Sequence, residues 1–175
     1  MTSGYRPPAQ IGGGRVRRAF AFVDLSGFTA YNNTHGDDEA VAVLGEFRRI
    51  VREVCSARGV RVAKWLGDGC MLVGIETGVV IEAVLDMIDR LHETGGALPV
   101  KAGVSEGAVI LFEGDDHIGK AVNLASRLCD HANPGQVLAH QSLAPSGVGL
   151  DPILLDLQGY DQPVPAIDIR RAARA

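Results

Sequence analysis

The sequence predicts an α+β domain built on a mixed β-sheet with helices packed against it. Three observations lead to this prediction. Segments with apolar residues at helical spacing alternate with pairs of short apolar runs, and glycine-containing turns separate runs within a pair. The chain has 175 residues, 46% of them hydrophobic and 22% charged, which suits one domain with one core. No internal linker is long enough to divide it.

The first predicted elements are a strand and a helix. Ala19–Val23 is an uninterrupted apolar run that ends at Asp24, as in a buried strand, and Ser26–Thr29 is predicted to be a turn. Asp37 is a suitable N-cap for a helix that runs to Ala57. The apolar face of this helix consists of Val43, Phe47, Ile50, Val51 and Val54.

A hairpin and a second helix follow. Val60–Leu66 and Cys70–Ile75 flank the sequence Gly-Asp-Gly at residues 67–69, and glycine supplies the positive φ that tight turns need. A helix then opens at Thr77 or Gly78 and continues to His92. Its apolar stripe consists of Val80, Val84, Met87, Ile88 and Leu91.

The second half of the chain is predicted to hold two more strand pairs around a helix. A loop containing Asp116 precedes the helix, which runs from Gly119 to Ala132, and Pro134 and Gly135 end it. Its inward side chains are Val122, Leu124, Ala125 and Leu128. The predicted strands are Leu98–Val104, Gly107–Phe112, Val137–Ala139, Ile153–Leu157 and Val164–Ile169.

Composition excludes several classes of protein. The net charge of −4 provides no global basic field for duplex nucleic acid, and three cysteines without a CxxC pair argue against a disulfide framework or structural zinc. Residues 1–14 lack the apolar core of a signal peptide, and we expect no membrane span and a cytoplasmic location. We expect a flexible leader over residues 1–16, a domain over 17–169 and a basic tail over 170–175.

Two acids stand at turns that follow apolar runs. Asp24 ends the first predicted strand, and Asp68 lies in the predicted hairpin between Gly67 and Gly69. Carboxylates at neighbouring strand ends can bind Mg²⁺, which takes one or two carboxylates together with phosphate oxygens. Aspartate is also common in turns for purely structural reasons, so spacing alone leaves both interpretations open.

Two further pairs of polar residues are candidates for ligand binding. Asn123 and Arg127 are four apart on a predicted helix and so project from one face, where they would either hold a ribose and a phosphate or form a solvated stripe. Lys64 lies within an apolar run and must extend to solvent or find a partner. With Asp116 it could bind the polar edge of adenine.

Taken together, these motifs resemble the catalytic domain of the class III nucleotidyl cyclases. The resemblance covers about residues 17–169 and rests on several motifs in the same order. The matching segments are Phe22–Thr29, Lys64–Met71, Asp116–Leu128, Asn133–Gln136 and Leu157–Gly159. It implies a ferredoxin-like sheet, partly antiparallel, with helices packed on it.

The resemblance also implies an activity and assigns residues to it. The activity is that of an adenylate cyclase, a lyase that converts ATP to 3′,5′-cyclic AMP and pyrophosphate with two Mg²⁺ or Mn²⁺ ions. By resemblance, Asp24 and Asp68 bind the metals, Lys64 and Asp116 select adenine, and Asn123 and Arg127 are catalytic. Contacts around the metals or phosphates would involve Leu25, Ser26, Gly27, Phe28, Thr29 and Gly67.

The resemblance further implies a head-to-tail homodimer with two shared sites. The metal-binding acids would come from one protomer, and the adenine-selecting and catalytic pairs from the other. The chain departs from the family pattern in having no lysine after Lys120, where the family holds the terminal phosphates. Gln158, Tyr160 and the tail arginines Arg170, Arg171 and Arg174 are the alternatives. A weakly active nucleotide-binding regulatory module and a guanylate cyclase are the competing functions.

Overall fold

One mixed sheet of eight strands organises the residues that the computed structural model describes, which are 14–113, 116–144 and 151–172. Most of the predicted leader lies outside these residues. The strands are β1 (Arg15–Leu25), β2 (Arg61–Leu66), β3 (Gly69–Gly74), β4 (Val100–Phe112), β5 (Asp116–Ile118), β6 (Val137–His140), β7 (Ile153–Leu155) and β8 (Val164–Asp168). The α-helices are α1 (Phe28–His35), α2 (Asp37–Arg58), α3 (Thr77–Glu93), α4 (Lys120–His131) and α5 (Ile169–Ala172).

The sheet is antiparallel apart from one pair of strands. Its order is β2-β3-β1-β4-β6-β8-β7, with β5 paired to β4, and β4–β6 is the parallel pair within the described residues. A parallel pair needs a crossover, and α4 lies on that connection. The predicted α+β class with a mixed sheet is therefore confirmed.

The two faces of the sheet are covered by different helices. Ala19 and Ala21 of β1 pack in a cluster with α2 and α3, whereas Phe20 between them packs with Ala121 and Ala125 of α4. This alternation follows from the two-residue period of a strand. Every residue of the predicted α3 stripe is buried, and in the α2 stripe only Val43 is partly exposed.

Four local predictions were wrong. Asp37 is not the N-cap of α2 but its first helical residue, because Gly36 occupies the N-cap position. Leu98–Val104 and Gly107–Phe112 do not form two strands, because residues 100–110 pair continuously with β1 and so form one long strand. Ser26–Thr29 is not only a turn, since α1 begins at Phe28 directly after Gly27. Asp116 does not lie in a loop but in β5, opposite Phe112.

A glycine allows α4 to lie directly against the sheet. A Cβ atom on Gly103 of β4 would stand 2.2 Å from both the Ala125 carbonyl oxygen and the Cys129 backbone nitrogen. Real side chains do not tolerate such contacts, and both neighbours are backbone atoms that cannot rotate away. The position of α4, and of every side chain it carries, therefore depends on this contact.

We predict that Gly103→Ala destabilises the protein by about 2–4 kcal/mol, because the added methyl group forces α4 away from the sheet. The matched control is Gly45→Ala in α2, where a Cβ meets nothing within 4 Å and should stabilise the helix by about 0.5–1 kcal/mol. Urea unfolding measures both. Equal stability of the two variants would contradict the close approach.

Candidate functional site

The two candidate metal-binding acids lie next to each other at one end of the central strands. Asp24 of β1 pairs with Gly69 of β3, and Asp68 directly precedes Gly69 in the hairpin turn. The Leu25 N–H donates to the Asp68 carbonyl oxygen at 3.3 Å. A Cβ on Gly69 would lie 2.9 Å from Asp24 Oδ1, so the glycine makes room for this carboxylate.

The electrostatics of this pair favour a bound cation. Burial raises the pKa of Asp24, and the charge of Asp68 raises it further. The positive charge of Lys101, whose Nζ lies 3.9 Å from Asp24 Oδ2, lowers the pKa of Asp24. Two neighbouring carboxylates in a half-buried position relieve their repulsion by holding a cation or a proton.

The donors available here fit Mg²⁺ or Mn²⁺. Among the residues that the structure describes, no group of three or more His, Cys, Asp or Glu side chains is arranged to hold a metal. A preformed all-protein cage is thus missing from this part of the chain. Mg²⁺ does not require one, because it is usually held by one or two carboxylates with water and substrate phosphates.

The segment after Asp24 connects the acids to α1. The Ser26 N–H donates to the Pro99 carbonyl oxygen at 2.8 Å, while the Ser26 hydroxyl is buried without a hydrogen-bond partner in the described structure. Gly27 has a φ of 81°, which allows the chain to turn into the helix. Phe28 packs against the core, and Thr29 is exposed.

The predicted adenine-selecting residues contact each other within one chain. Lys64 of β2 and Asp116 of β5 form an ion pair in which each side chain is about half exposed, at 49% and 50%. The lysine in this strand is therefore paired with an acid, Asp116. An ion pair this exposed stabilises a fold by no more than about 1 kcal/mol.

The predicted catalytic pair lines a depression between α4 and the segment after β7. Asn123 and Arg127 border this depression, which has a volume of about 520 Å³. The other lining residues are Lys120, Ser126, Gln158, Gly159, Tyr160 and Asp161. Burial raises the pKa of Tyr160, and the nearby charge of Arg127 opposes this shift. Arg127 also forms an ion pair with Asp130, in which Nη1 and Oδ2 are 3.4 Å apart.

The acids and the catalytic pair do not share a depression. Asp24 lines a separate one of about 190 Å³, and Ser126 borders both. The remaining residues that line the depression at Asp24 are Phe22, Val23, Leu66, Gly69, Cys70, Cys129 and Asp130. The structure thus brings the candidate residues together in pairs. Asp24 and the Asn123–Arg127 pair line different depressions, which meet at Ser126.

Sequence reasoning missed two charged residues near the acids. Lys101 lies opposite Asp24 in the β1–β4 pairing, and Asp130 raises the pKa of Asp24. The one available signal was Asp130 three residues after Arg127 on the same helix. Arg170, an alternative phosphate ligand, instead donates to the Gly135 carbonyl oxygen at 3.0 Å, with Asp89 3.4 Å away. The Arg171 side chain and Arg174 lie outside the described residues.

Comparison with known proteins gives a consistent result. No protein-family model matches the chain. An uncharacterised protein of Mycobacterium tuberculosis is 36% identical over 163 residues, which is 91% of this chain and 43% of that protein. A pH-sensitive adenylate cyclase of the same species is 31% identical over 123 residues, 70% of this chain and 30% of that protein. The chain spans less than half the length of these relatives.

The fold comparison agrees with the sequence comparison. The crystal structure of the adenylyl cyclase CyaB from P. aeruginosa superposes with a TM-score of 0.78 at 20% identity, covering 89% of this chain and 94% of that one. The chain belongs to the class III nucleotidyl cyclase family. No helix within residues 14–113, 116–144 and 151–172 of this cyclase domain is both long and apolar enough to cross a membrane.

We predict that Asp24→Asn stabilises the metal-free cyclase domain at neutral pH, raising Tm by about 1–2 °C after allowance for solvent screening. The raised pKa of Asp24 means that folding disfavours its charged form, so stability is lost as pH rises through that pKa. Asparagine removes this effect. The gain should shrink as pH falls through the raised pKa.

Thermal unfolding in the presence of a chelator, from pH 4 to pH 8, measures this difference. The control is Asp156→Asn, since Asp156 is an exposed acid far from β1 in the chain. A Tm gain that is the same at every pH, or equal in the control, would contradict the electrostatic explanation.

Proposed function

We propose that this cyclase domain converts ATP to 3′,5′-cyclic AMP and pyrophosphate at a site completed by a second copy of the chain. The observation that carries the proposal is the pairing of Asp24 with Asp68, apart from the depression that holds Asn123 and Arg127. One chain thus offers metal-binding acids and nucleotide-binding groups as two separate halves.

Asp24 and Asp68 would hold two divalent cations, Mg²⁺ or Mn²⁺. When bound, such ions neutralise phosphate charge and acidify the attacking hydroxyl. The carboxylates contribute oxygen ligands and a negative field that offsets the net positive charge of the ions. The oxygen donors and the raised pKa of Asp24 support this role.

Lys64 and Asp116 would bind the adenine base. Adenine presents an amino group that donates hydrogen bonds and ring nitrogens that accept them, so an acid beside an ammonium group matches both. Their ion pair holds each side chain ready for this edge before ATP binds. Because an ion pair this exposed adds little to the stability of the fold, ligand recognition is the better explanation for a lysine in this apolar strand.

Asn123 and Arg127 would orient the ribose and stabilise charge on the α-phosphate. The ribose 3′-oxygen attacks the α-phosphorus, the bond to the pyrophosphate oxygen breaks, and the hydroxyl proton is lost. Arg127 acts as a fixed positive charge near the developing negative charge. Lys120 borders the same depression and is a candidate for the phosphate contact that the family assigns to a later lysine.

A head-to-tail dimer would join the two halves. In a two-fold dimer, each copy presents both of its half-sites, so the acids of one protomer meet the α4 depression of its partner twice. This arrangement explains why a chain can carry all the required residues and still lack a complete site. The working unit would then contain two chains and two equivalent sites.

We predict that the purified protein forms cyclic AMP from ATP with Mn²⁺, and that Asp68→Asn lowers the rate about 100-fold or more, because metal binding loses a carboxylate. Asp156→Asn is the control and should keep the wild-type rate. Chromatographic detection of cyclic AMP measures both. ATP binding without product in the wild-type protein would favour the regulatory module.

Mixing two inactive variants tests whether the site is shared. Asp68→Ala and Lys64→Ala homodimers should each be nearly inactive. After subunit exchange in an equimolar mixture, half of the dimers are mixed and each has one intact site, so activity should recover to about one quarter of wild type. No recovery after verified exchange would contradict the shared site.

We predict that Lys64→Glu combined with Asp116→Gly lowers kcat/KM for ATP about 10–100-fold and improves the ratio for GTP. The reason is that a mismatched polar group at a base edge loses about 1–3 kcal/mol. Initial rates with both nucleotides measure the preference. An unchanged ATP-to-GTP ratio would show that these residues do not contact the base.

A further inference from the structure

Arg48 joins α2 to the hairpin turn that carries Asp68. Its Nη2 donates to the Gly67 carbonyl oxygen at 2.9 Å, across 19 residues of sequence. The carbon atom of its guanidinium group stands 5.0 Å from the centre of the Trp65 ring on β2. The side chain therefore contacts the strand that leads into the turn and the first residue of the turn itself.

The turn is closed by the pairing of Leu66 with Gly69, and the described contacts of its two central residues are few. Gly67 has a φ of 67° and is exposed, as is Leu66 before it. The Asp68 carbonyl oxygen accepts the Leu25 N–H at a long 3.3 Å. The bond from Arg48 is shorter and carries a charge on its donor, which makes it the stronger of the two.

Two contacts hold the guanidinium group of Arg48 in place. Arg48 Nε is buried and has no hydrogen-bond partner in the described part of the chain. The orientation of the guanidinium group is therefore not one in which every N–H makes a hydrogen bond. The Gly67 carbonyl and the Trp65 ring are the contacts that determine its position.

We propose that Arg48 is a positioning residue for the metal site, an inference that rests on the proposed function of Asp68. By holding the Gly67 carbonyl, Arg48 fixes the peptide that joins Gly67 to Asp68, and so fixes where the Asp68 carboxylate stands relative to Asp24. It touches neither the substrate depression nor the Lys64–Asp116 pair in the contacts described here. Its effect should therefore fall on metal binding and not on ATP recognition.

A neighbouring arginine provides a matched control. The guanidinium carbon of Arg52 lies 5.1 Å from the same Trp65 ring, and Arg52 is one helical turn after Arg48. The described hydrogen bonds of the turn include one from Arg48 to Gly67 and none from Arg52. Comparing the two separates the hydrogen bond to the turn from packing on the tryptophan.

The test compares Arg48→Met, Arg48→Lys and Arg52→Met with the wild-type protein. Arg48→Met should raise the Mn²⁺ concentration for half-maximal activity about 5–10-fold, while KM for ATP at saturating Mn²⁺ changes less than twofold. Amide hydrogen exchange in the peptide spanning residues 64–71 should accelerate about 10-fold. Arg48→Lys should restore part of both effects, and Arg52→Met should stay within twofold of wild type.

Two further outcomes decide the proposal. Equal effects of Arg52→Met and Arg48→Met would assign the role to packing on Trp65 and overturn it, as would unchanged exchange in Arg48→Met. If the wild-type protein makes no cyclic AMP, the proposed function fails separately, and binding of Mn²⁺ alone, measured by electron paramagnetic resonance, replaces the activity readout. If Arg48→Met does not fold, the same comparison is made with Arg48→Lys, which must then show a partial loss.

Discussion

The pairing of β1 with β3 is the constraint on which the candidate site depends. It sets Asp24 opposite Gly69 and therefore beside Asp68, the last residue of the turn before β3. Glycine at residue 69 makes this close pairing possible, because a Cβ there would stand 2.8 Å from the Val23 carbonyl oxygen, a backbone atom, and 2.9 Å from Asp24 Oδ1. The register of the sheet thus places Asp24, and the turn that precedes β3 places Asp68 beside it.

The same sheet also determines where the two groups of candidate residues stand. Residues of β1 alternate between faces, so that Ala21 and Val23 support α2 and α3 while Phe20 supports α4. Gly103 then lets α4 lie close to β4, which determines where Asn123 and Arg127 stand. This backbone contact keeps Asn123 and Arg127 on the depression that α4 lines, and the proposed second chain would supply the acids that face it.

Local patterns predicted α2, α3, α4 and the β2–β3 hairpin well, because an apolar stripe or a Gly-Asp-Gly turn depends on neighbours in sequence. They failed where distant pairing decides the structure. Gly107 looks like a strand break, but β1 pairs with β4 on both sides of it, so one strand results. The candidate residues were found by motif, whereas Lys101 beside Asp24 and Arg48 on Gly67 were missed, because only the sheet register and helix packing bring them together.

The charges around Asp24 show how the fold and the proposed chemistry oppose each other. Burial and Asp68 both raise the pKa of Asp24, which means that folding alone would prefer this residue neutral. Lys101 at 3.9 Å offsets only part of that effect, and its single charge is less than that of a divalent ion. The proposed cation, binding when the nucleotide does, would offset both effects at Asp24. Its local positive charge is how a chain with a net charge of −4 would hold a polyanion.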